Sequence, residues 1–242
     1  MKKIHFSSID STNTYGKEFI LTNKEFHKTL ITADMQTNGR GRLNKTFYSE
    51  NGLYMSLLLD DRHKDYPLTL TSAVAVSNAV KELFNIDLKI KWVNDLLYNN
   101  KKVCGILTEA IYEENKVKGF VCGIGLNTKN VIIPPDLKEI ADVIPTEKTN
   151  ELTERIAEKI IYMYENNISP VKAYKENLIL NVPVCAYKND KKLFTGIATD
   201  ILENGNLVVV EDNNTHILNS GEISIIYKNK EETKWKIFYL LE

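Results

Sequence analysis

No stretch of the 242 residues approaches the roughly 18 consecutive apolar residues that a membrane span needs, so no span is expected. The N-terminus has no hydrophobic core of a signal peptide. Neither sign of charge is in excess: 31 Lys and Arg stand against 32 Asp and Glu, which argues against a general nucleic-acid binder. Internal repeats and low-complexity tracts are absent, and no disorder signature appears. The three cysteines, Cys104, Cys122 and Cys185, lack metal-ligand spacing and lie in apolar, strand-like runs. They read as buried free thiols in a reducing compartment. The expectation is a soluble, cytoplasmic protein. With 43% hydrophobic residues, the chain can bury a core as one large domain or as a main domain with a small appendage.

What is present is organised around Gln36-Thr37-Asn38-Gly39-Arg40-Gly41-Arg42-Leu43-Asn44-Lys45-Thr46-Phe47. It joins an apolar run, Thr29–Ala33, to a second, Gly52–Leu59, as a strand–loop–strand. Glycine lets a ligand approach the main chain, and arginine offers a planar fork of donors to carboxylate or phosphate oxygens. Two readings are open: a loop that closes over an anion, or a solvated basic hairpin tip.

Ahead of this loop, a short strand over Lys3–Ile9 leads into Asp10-Ser11-Thr12-Asn13-Thr14 and a short helix through Tyr15 and Phe19. Ser11 and Asn13 suit an N-cap, and the same helix start can offer N–H groups and hydroxyls to a polar ligand. Residues Leu68 to Phe84 have the period of a helix packed on a sheet. Ile90–Tyr98 reads as one strand interrupted by polar Asn94 and Asp95, with a hairpin turn at Asn99-Asn100-Lys101. Lys102 leads straight into an apolar strand, either as turn solubility or as a charge with a task. In Lys118–Asn127, alternation puts Gly123, Gly125 and Asn127 on one face. That bare strip is either a floor for a flat ligand or a place of tight packing.

Residues 131–149 read as loop with one short helical turn, and Glu151–Asn167 as an amphipathic helix. Ser169-Pro170 predicts an N-cap and first-turn proline for a further helix through Leu178. From Val182-Pro183 the texture changes to five short strands: Val184–Tyr187, Leu193–Ile201, Leu207–Val210, His216–Leu218 and Ile223–Tyr227. Their spacing predicts a small barrel of the SH3 sort. The apolar end, Trp235–Leu241, is expected to dock as a strand.

The ordered set Asp10-Ser11-Thr12-Asn13, Gln36…Gly39-Arg40-Gly41-Arg42, Lys91-Trp92-Val93-Asn94-Asp95, Lys102-Val103-Cys104-Gly105-Ile106-Leu107 and Gly123-Ile124-Gly125-Leu126-Asn127 resembles the biotin–protein ligases. Ser220-Gly221-Glu222-Ile223-Ser224 resembles their last-barrel signature. The resemblance implies an α/β (α+β) catalytic domain related to class II aminoacyl-tRNA synthetases, with a mixed sheet and flanking helices, over 1–182. A small SH3-like β-barrel would follow over 183–242. It implies activation of biotin with ATP and Mg²⁺ to biotinyl-5′-AMP, then transfer to a lysine of a biotin carboxyl carrier protein or biotin-dependent carboxylase subunit. Few residues precede Asp10, so a DNA-binding segment and repression are not expected. The oligomeric state, monomer or homodimer, is open.

By the same resemblance, Lys102, Arg40 and Arg42 are the catalytic cations. Ser11, Thr12, Asn13, Gln36, Gly39, Arg40, Gly41, Arg42, Lys102, Gly105, Gly123 and Gly125 would bind biotin, with Trp92 as an apolar wall. Arg40, Arg42, Phe47, Asn94, Asp95, Lys102 and Asn127 would bind ATP and the adenylate, and Asp95 would orient Mg²⁺ through water. The chain departs from the family pattern at four places. Asn44 replaces a glycine, Phe47 the tryptophan that stacks on adenine, Val93 a common proline and Ile226 an arginine. Two rivals are a lipoate–protein ligase, which shares fold and adenylation logic, and a non-catalytic binder of biotinyl-AMP. Gly39-Arg40-Gly41-Arg42 and Lys91-Trp92-Val93-Asn94-Asp95 favour the biotin branch.

Overall fold

Strand β1 (Lys2–Ile9) lies parallel to β2 (Thr29–Gln36), and helix α1 (Thr12–Thr22) crosses between them. The helix starts where it should: Ser11 has extended backbone, and its Oγ accepts from the Thr14 N–H at 3.3 Å. The computed structural model describes residues 1–42, 47–48, 50–63, 66–188, 191–219 and 223–227. Strand β3 (Glu50–Asp60), helix α2 (Leu68–Phe84), β4 (Lys89–Lys91), β5 (Asp95–Tyr98), β6 (Lys101–Glu113) and β7 (Lys116–Leu126) follow. They complete a seven-stranded mixed sheet of order β1-β2-β3-β7-β6-β5-β4, in which only β1–β2 is parallel.

Alternation divides the sheet's two faces. Leu57, Leu59, Phe120, Cys122 and Ile124 point into a core shared with α2 and with α3 (Thr149–Glu165). Leu58 and Val121 point the other way and pack with Ile20 of α1. Among the described residues, α1 is the helix that packs on that second face. All three cysteines are free and buried; burial pushes the Cys122 thiol up to about 12 and that of Cys104 higher still.

After α4 (Val171–Asn177), strands β8 (Val182–Lys188), β9 (Lys191–Ile201), β10 (Leu207–Glu211), β11 (Asn214–Leu218) and β12 (Ser224–Tyr227) form an antiparallel sheet of order β11-β10-β9-β8-β12. It is joined to the first sheet through Trp92. The indole N–H donates to the Gly205 carbonyl at 3.0 Å, and the Trp92 main-chain N–H donates to the Tyr227 hydroxyl at 3.3 Å. The buried Tyr174 hydroxyl donates to the Val93 carbonyl at 2.9 Å.

Three expectations need correction. Ile90–Tyr98 is not one strand: Trp92, Val93 and Asn94 form the turn of a β4–β5 hairpin. The apolar pair at the tip is there because it is buried at the joint between sheets, which alternation along one strand cannot reveal. Ser169 is not the N-cap of α4; Pro170 occupies that place, and the Ser169 hydroxyl accepts only a long 3.4 Å bond from Val171 N. Residues 131–149 hold the expected short turn, a 3₁₀ helix at Pro135–Leu137, and also extend the sheet. Lys102 bridges to Ala141 and Thr128 to Ile144. The expectations for Asn44, Ser220-Gly221-Glu222 and Trp235–Leu241 lie outside the described residues.

Candidate active site

The register of the sheet builds the site as rows on its α1 face. Asp95, Gly105, Gly125 and Tyr54 are cross-strand neighbours in one row. Leu107, Gly123 and Ser56 form the next. Glu109, Val121 and Leu58 form a third. Successive rows are two residues apart, about 7 Å along the strands.

At the first row a cluster of charge gathers. Lys102 Nζ lies 2.8 Å from Asp95 Oδ1, and Lys91 Nζ lies 4.0 Å from Asp95 Oδ2. Strict alternation from Gly105 would carry Val103 to the site face and Lys102 to the core. A register shift between Leu96 and Leu97 inserts a bulge that turns Val103 inward and delivers Lys102 to Asp95. The strand that looked too apolar for a lysine thus presents one without burying it in the hydrophobic layer. Burial alone would raise the Asp95 pKa; Lys102, Lys91 and Arg42 outweigh it and hold the carboxyl below its ordinary value. Burial lowers the pKa of Arg42, and Asp95 opposes that shift.

Arg42 ties the loop to this cluster. Its Nη1 donates to Asn94 Oδ1 at 3.3 Å, in the β4–β5 turn, and its Nη2 to the Ile223 carbonyl at 3.4 Å, just before β12. Asn94 is held in return, with Nδ2 donating to the Ile106 carbonyl at 3.0 Å. Gly39 is buried, whereas Arg40 is exposed, and no contact joins Arg40 to the cluster among the described residues. Gly41 precedes Arg42 in the same turn of chain, and Phe47 N–H returns to the Gly39 carbonyl at 2.9 Å.

The glycine strip is not bare. A Cβ at Gly125 would overlap the Phe47 ring, and one at Gly105 would meet it at 3.1 Å. A Cβ at Gly123 would overlap the Asn13 amide. The glycines let this ring and this amide lie against the main chain, with Phe47 edge-on to Tyr54 and 5.8 Å from Lys102 Nζ.

At the second row is a buried polar knot. Thr12 N and Oγ1 both donate toward Gln36 Oε1, at 2.9 and 3.0 Å. Ser56 Oγ lies 2.8 Å from Thr12 Oγ1 and 2.6 Å from Asn13 Oδ1. Asn13 Nδ2 reaches the Leu107 carbonyl at 3.2 Å and Glu109 Oε2 at 2.8 Å. Neither Ser56 nor Glu109 was expected from the sequence. The available signal was a serine inside an otherwise apolar strand, on the face shared with Gly123.

Two expected residues point elsewhere. Trp92 is core, its indole committed to Gly205, and is no wall of the site. Asn127 lies just past the end of β7, and its Nδ2 donates to the Asp142 carbonyl at 3.1 Å. Among the described residues no group of three His, Cys, Asp or Glu could hold a metal ion. Asp95, a lone carboxylate already paired with lysine, is not by itself a Mg²⁺ site.

The arrangement offers donors and hydroxyls at one end of a strip, cations at the other, and a thin floor between. Such a strip suits an elongated ligand with a polar head and an anionic tail.

Residues 5–127 match the family model described as "Biotin/lipoate A/B protein ligase family", and residues 179–225 match "Biotin protein ligase C terminal domain". The bifunctional ligase/repressor BirA of Bacillus subtilis is 34% identical over 196 residues, covering 74% of this chain and 60% of its own. The biotin--[acetyl-CoA-carboxylase] ligase of Mycobacterium tuberculosis is 25% identical over 211 residues, 80% of this chain and 77% of that one. The biotin protein ligase from Aquifex aeolicus, solved in complex with biotin and ATP, shares 26% identity. It superposes with a TM-score of 0.77 over 94% of this chain and 99% of that one. The chain thus spans about 60% of the Bacillus relative but nearly the whole of the Aquifex protein. With residues 5–127, half of its length, matched by one family model, this chain belongs to the biotin/lipoate A/B protein ligase family.

Proposed function

We propose that the chain is an ATP-dependent biotin–protein ligase. It forms biotinyl-5′-AMP and transfers the biotinyl group to a lysine of a carrier domain of a biotin-dependent carboxylase. The observation that carries this reading is Lys102 Nζ, 2.8 Å from Asp95 and beside the Gly105–Gly125 floor, at one end of a strip whose other end is polar. A ureido ring at Thr12 and Gln36 puts the valeryl chain along the strip whose glycines Asn13 and Phe47 cover, and the carboxylate at Lys102.

In the first step a biotin carboxylate oxygen attacks the α-phosphorus of ATP, the bond to the β-phosphate breaks, and pyrophosphate leaves. Two anions must meet, and negative charge grows on the α-phosphoryl oxygens. Lys102 and Arg42 answer that charge, and the fixed floor holds the reactants in line. Arg40 joins when the loop closes on the ligand. Ser11, Gly39, Gly41 and Gly123 border the biotin, with Asn13 acting as backbone and spacer. Asn94 and Phe47 border the nucleotide, the phenyl face offering less stacking area than an indole. If Mg²⁺ accompanies ATP, it would offset phosphate charge, and Asp95 would be the carboxylate of this cluster able to meet it through water. In the second step the carrier lysine amine attacks the acyl carbon, loses a proton, and AMP leaves.

The family's class II synthetase-like and SH3-like barrel labels are proposed for the mixed sheet and the antiparallel sheet, divided at residues 182 and 183. A cytoplasmic location goes with the free thiols. Incubation of this protein with ATP, biotin and a biotin carboxyl carrier domain is expected to add one biotinyl group to that domain, read by mass spectrometry. Transfer of lipoate in place of biotin would give the site to the lipoate branch. Binding of biotinyl-AMP without biotin-dependent pyrophosphate release would make the chain a sensor.

A further inference from the structure

Behind Thr12 lies a chain of hydrogen bonds whose direction can be worked out from its far end. Glu109 Oε2 and the Leu107 carbonyl are acceptors, and both face the same atom of Asn13, at 2.8 and 3.2 Å. That atom must be the amide nitrogen, and its two protons are spent. The other Asn13 atom is then a carbonyl oxygen, which can only accept from Ser56 at 2.6 Å. The single Ser56 proton is thereby committed to Asn13. Toward Thr12 Oγ1, 2.8 Å away, Ser56 offers lone pairs alone. The other neighbour of Thr12 Oγ1 is Gln36 Oε1, also an acceptor, at 3.0 Å. Both inward neighbours of the Thr12 hydroxyl are therefore acceptors; its one proton turns inward to one of them, and the oxygen has only lone pairs to show a ligand. Lys17 pairs with Glu109 Oε1 at 2.5 Å and keeps that carboxylate at the head of the chain.

We infer that Glu109 and Ser56 are positioning residues that fix the hydrogen-bond polarity of Thr12, so that this point of the site selects a ligand ring N–H over an acceptor atom. The inference rests on the reading that the biotin ring docks at Thr12, and it adds what sets the selectivity there. A relay of buried groups with one allowed proton arrangement is a specificity device, because a ligand presenting an acceptor meets lone pairs across a dry contact.

The test compares biotin with its two carbamate analogues, in which one or the other ureido N–H is replaced by a ring oxygen. Affinity is measured by calorimetry on the full chain, as wild type and as Ser56→Ala, Glu109→Leu and Glu109→Gln. For one of the two analogues, wild type should bind biotin at least about tenfold more tightly. In Ser56→Ala, only Gln36 Oε1 is left to hold the Thr12 proton, the hydroxyl can turn outward, and that ratio should fall severalfold. Glu109→Leu leaves the Asn13 nitrogen held by the Leu107 carbonyl alone, loosens the relay, and should lower the ratio in the same direction from a partly exposed position. Glu109→Gln keeps an acceptor oxygen for Asn13 and should restore most of the ratio. A merely structural role would weaken biotin and both analogues alike, leaving the ratios unchanged, and that result overturns the relay alone. Wild-type protein that binds no biotin overturns the relay together with the functional reading.

Discussion

Lys102 and Asp95 stand 2.8 Å apart on neighbouring strands, their side chains 13% and 18% exposed, and the pair exists because a bulge reverses the facing of one strand. In the proposed reaction this ammonium, held on a carboxylate, would turn to the more negative phosphoryl group. Lys102→Ala is expected to lower biotin-dependent pyrophosphate release by at least about 10²–10³-fold, the scale on which single charge-stabilising donors act. Biotin should still bind measurably by calorimetry. A near wild-type rate would remove Lys102 from the chemistry.

The same pair predicts a pH effect. The folded-state pKa of Asp95 lies below the unfolded value of about 3.9. Its contribution to stability is therefore complete above that value and is lost as pH falls through the folded pKa. Asp95→Asn should flatten the acid limb of a plot of stability against pH by up to about one proton, read from urea unfolding at a series of pH values. It should also lower stability at neutral pH, since Lys91, Lys102 and Arg42 lose their common counter-charge.

Arg42 grips the loop to Asn94 and to the Ile223 carbonyl. Arg42→Gly removes both bonds and a cation from the adenylate's surroundings. Release of biotinyl-AMP into solution is the expected result, detected as biotin on lysines of a bystander protein such as albumin. Labelling confined to the carrier would show that the adenylate is held by other groups.

Gly125 and Phe47 test the packing of the floor. Gly125→Ala should displace the ring and cost about 1–3 kcal/mol in urea unfolding, as overpacking does. Adding Phe47→Ala to the same chain should recover much of that loss, because the three atoms nearest the new methyl group, all of the Phe47 ring, are then gone. Purely additive costs would mean that the backbone, not the ring, resists the methyl.

Trp92 links the two sheets, and its bonds can be weighed one at a time. Trp92→Phe gives up the bond to Gly205 and is expected to cost about 0.5–1.5 kcal/mol plus lost packing. Tyr227→Phe leaves the Trp92 main-chain N–H buried without an acceptor and should cost about 1–3 kcal/mol. Denaturant unfolding followed by circular dichroism reads both.

Much of this architecture was legible in the residues. Helix α2 has the predicted limits, Leu68 and Phe84, because small and branched apolar residues there follow one helical stripe. Asn99 and Asn100 both adopt positive φ, 50° and 63°, as the hairpin reading of an Asn-Asn pair requires. The five C-terminal strands fall where turn residues separate apolar runs. Less legible were features that depend on partners distant in sequence. Alternation cannot foresee the bulge that redirects Lys102, nor the turn at Trp92-Val93-Asn94, whose apolar tip is buried by another sheet. Ser56 reads as an ordinary strand residue until the register sets it opposite Gly123. The glycine strip was visible, but not that Asn13 and Phe47 lie on it.

The segment after β7 has little regular structure, yet it brackets the main chain of Lys102 on both sides. Lys102 N donates to the Ile140 carbonyl at 2.8 Å, and Asp142 N donates to the Lys102 carbonyl at 2.9 Å. Surface loops usually accept insertions and proteolytic nicks at little cost. Here the irregular segment acts as an outer rail for the strand that carries Lys102. Lengthening or cutting it near residues 140–142 would release that rail. The Lys102 amide would then exchange with solvent as a loop amide does, and the lysine would lose its aim with every residue of the ligand floor still in place.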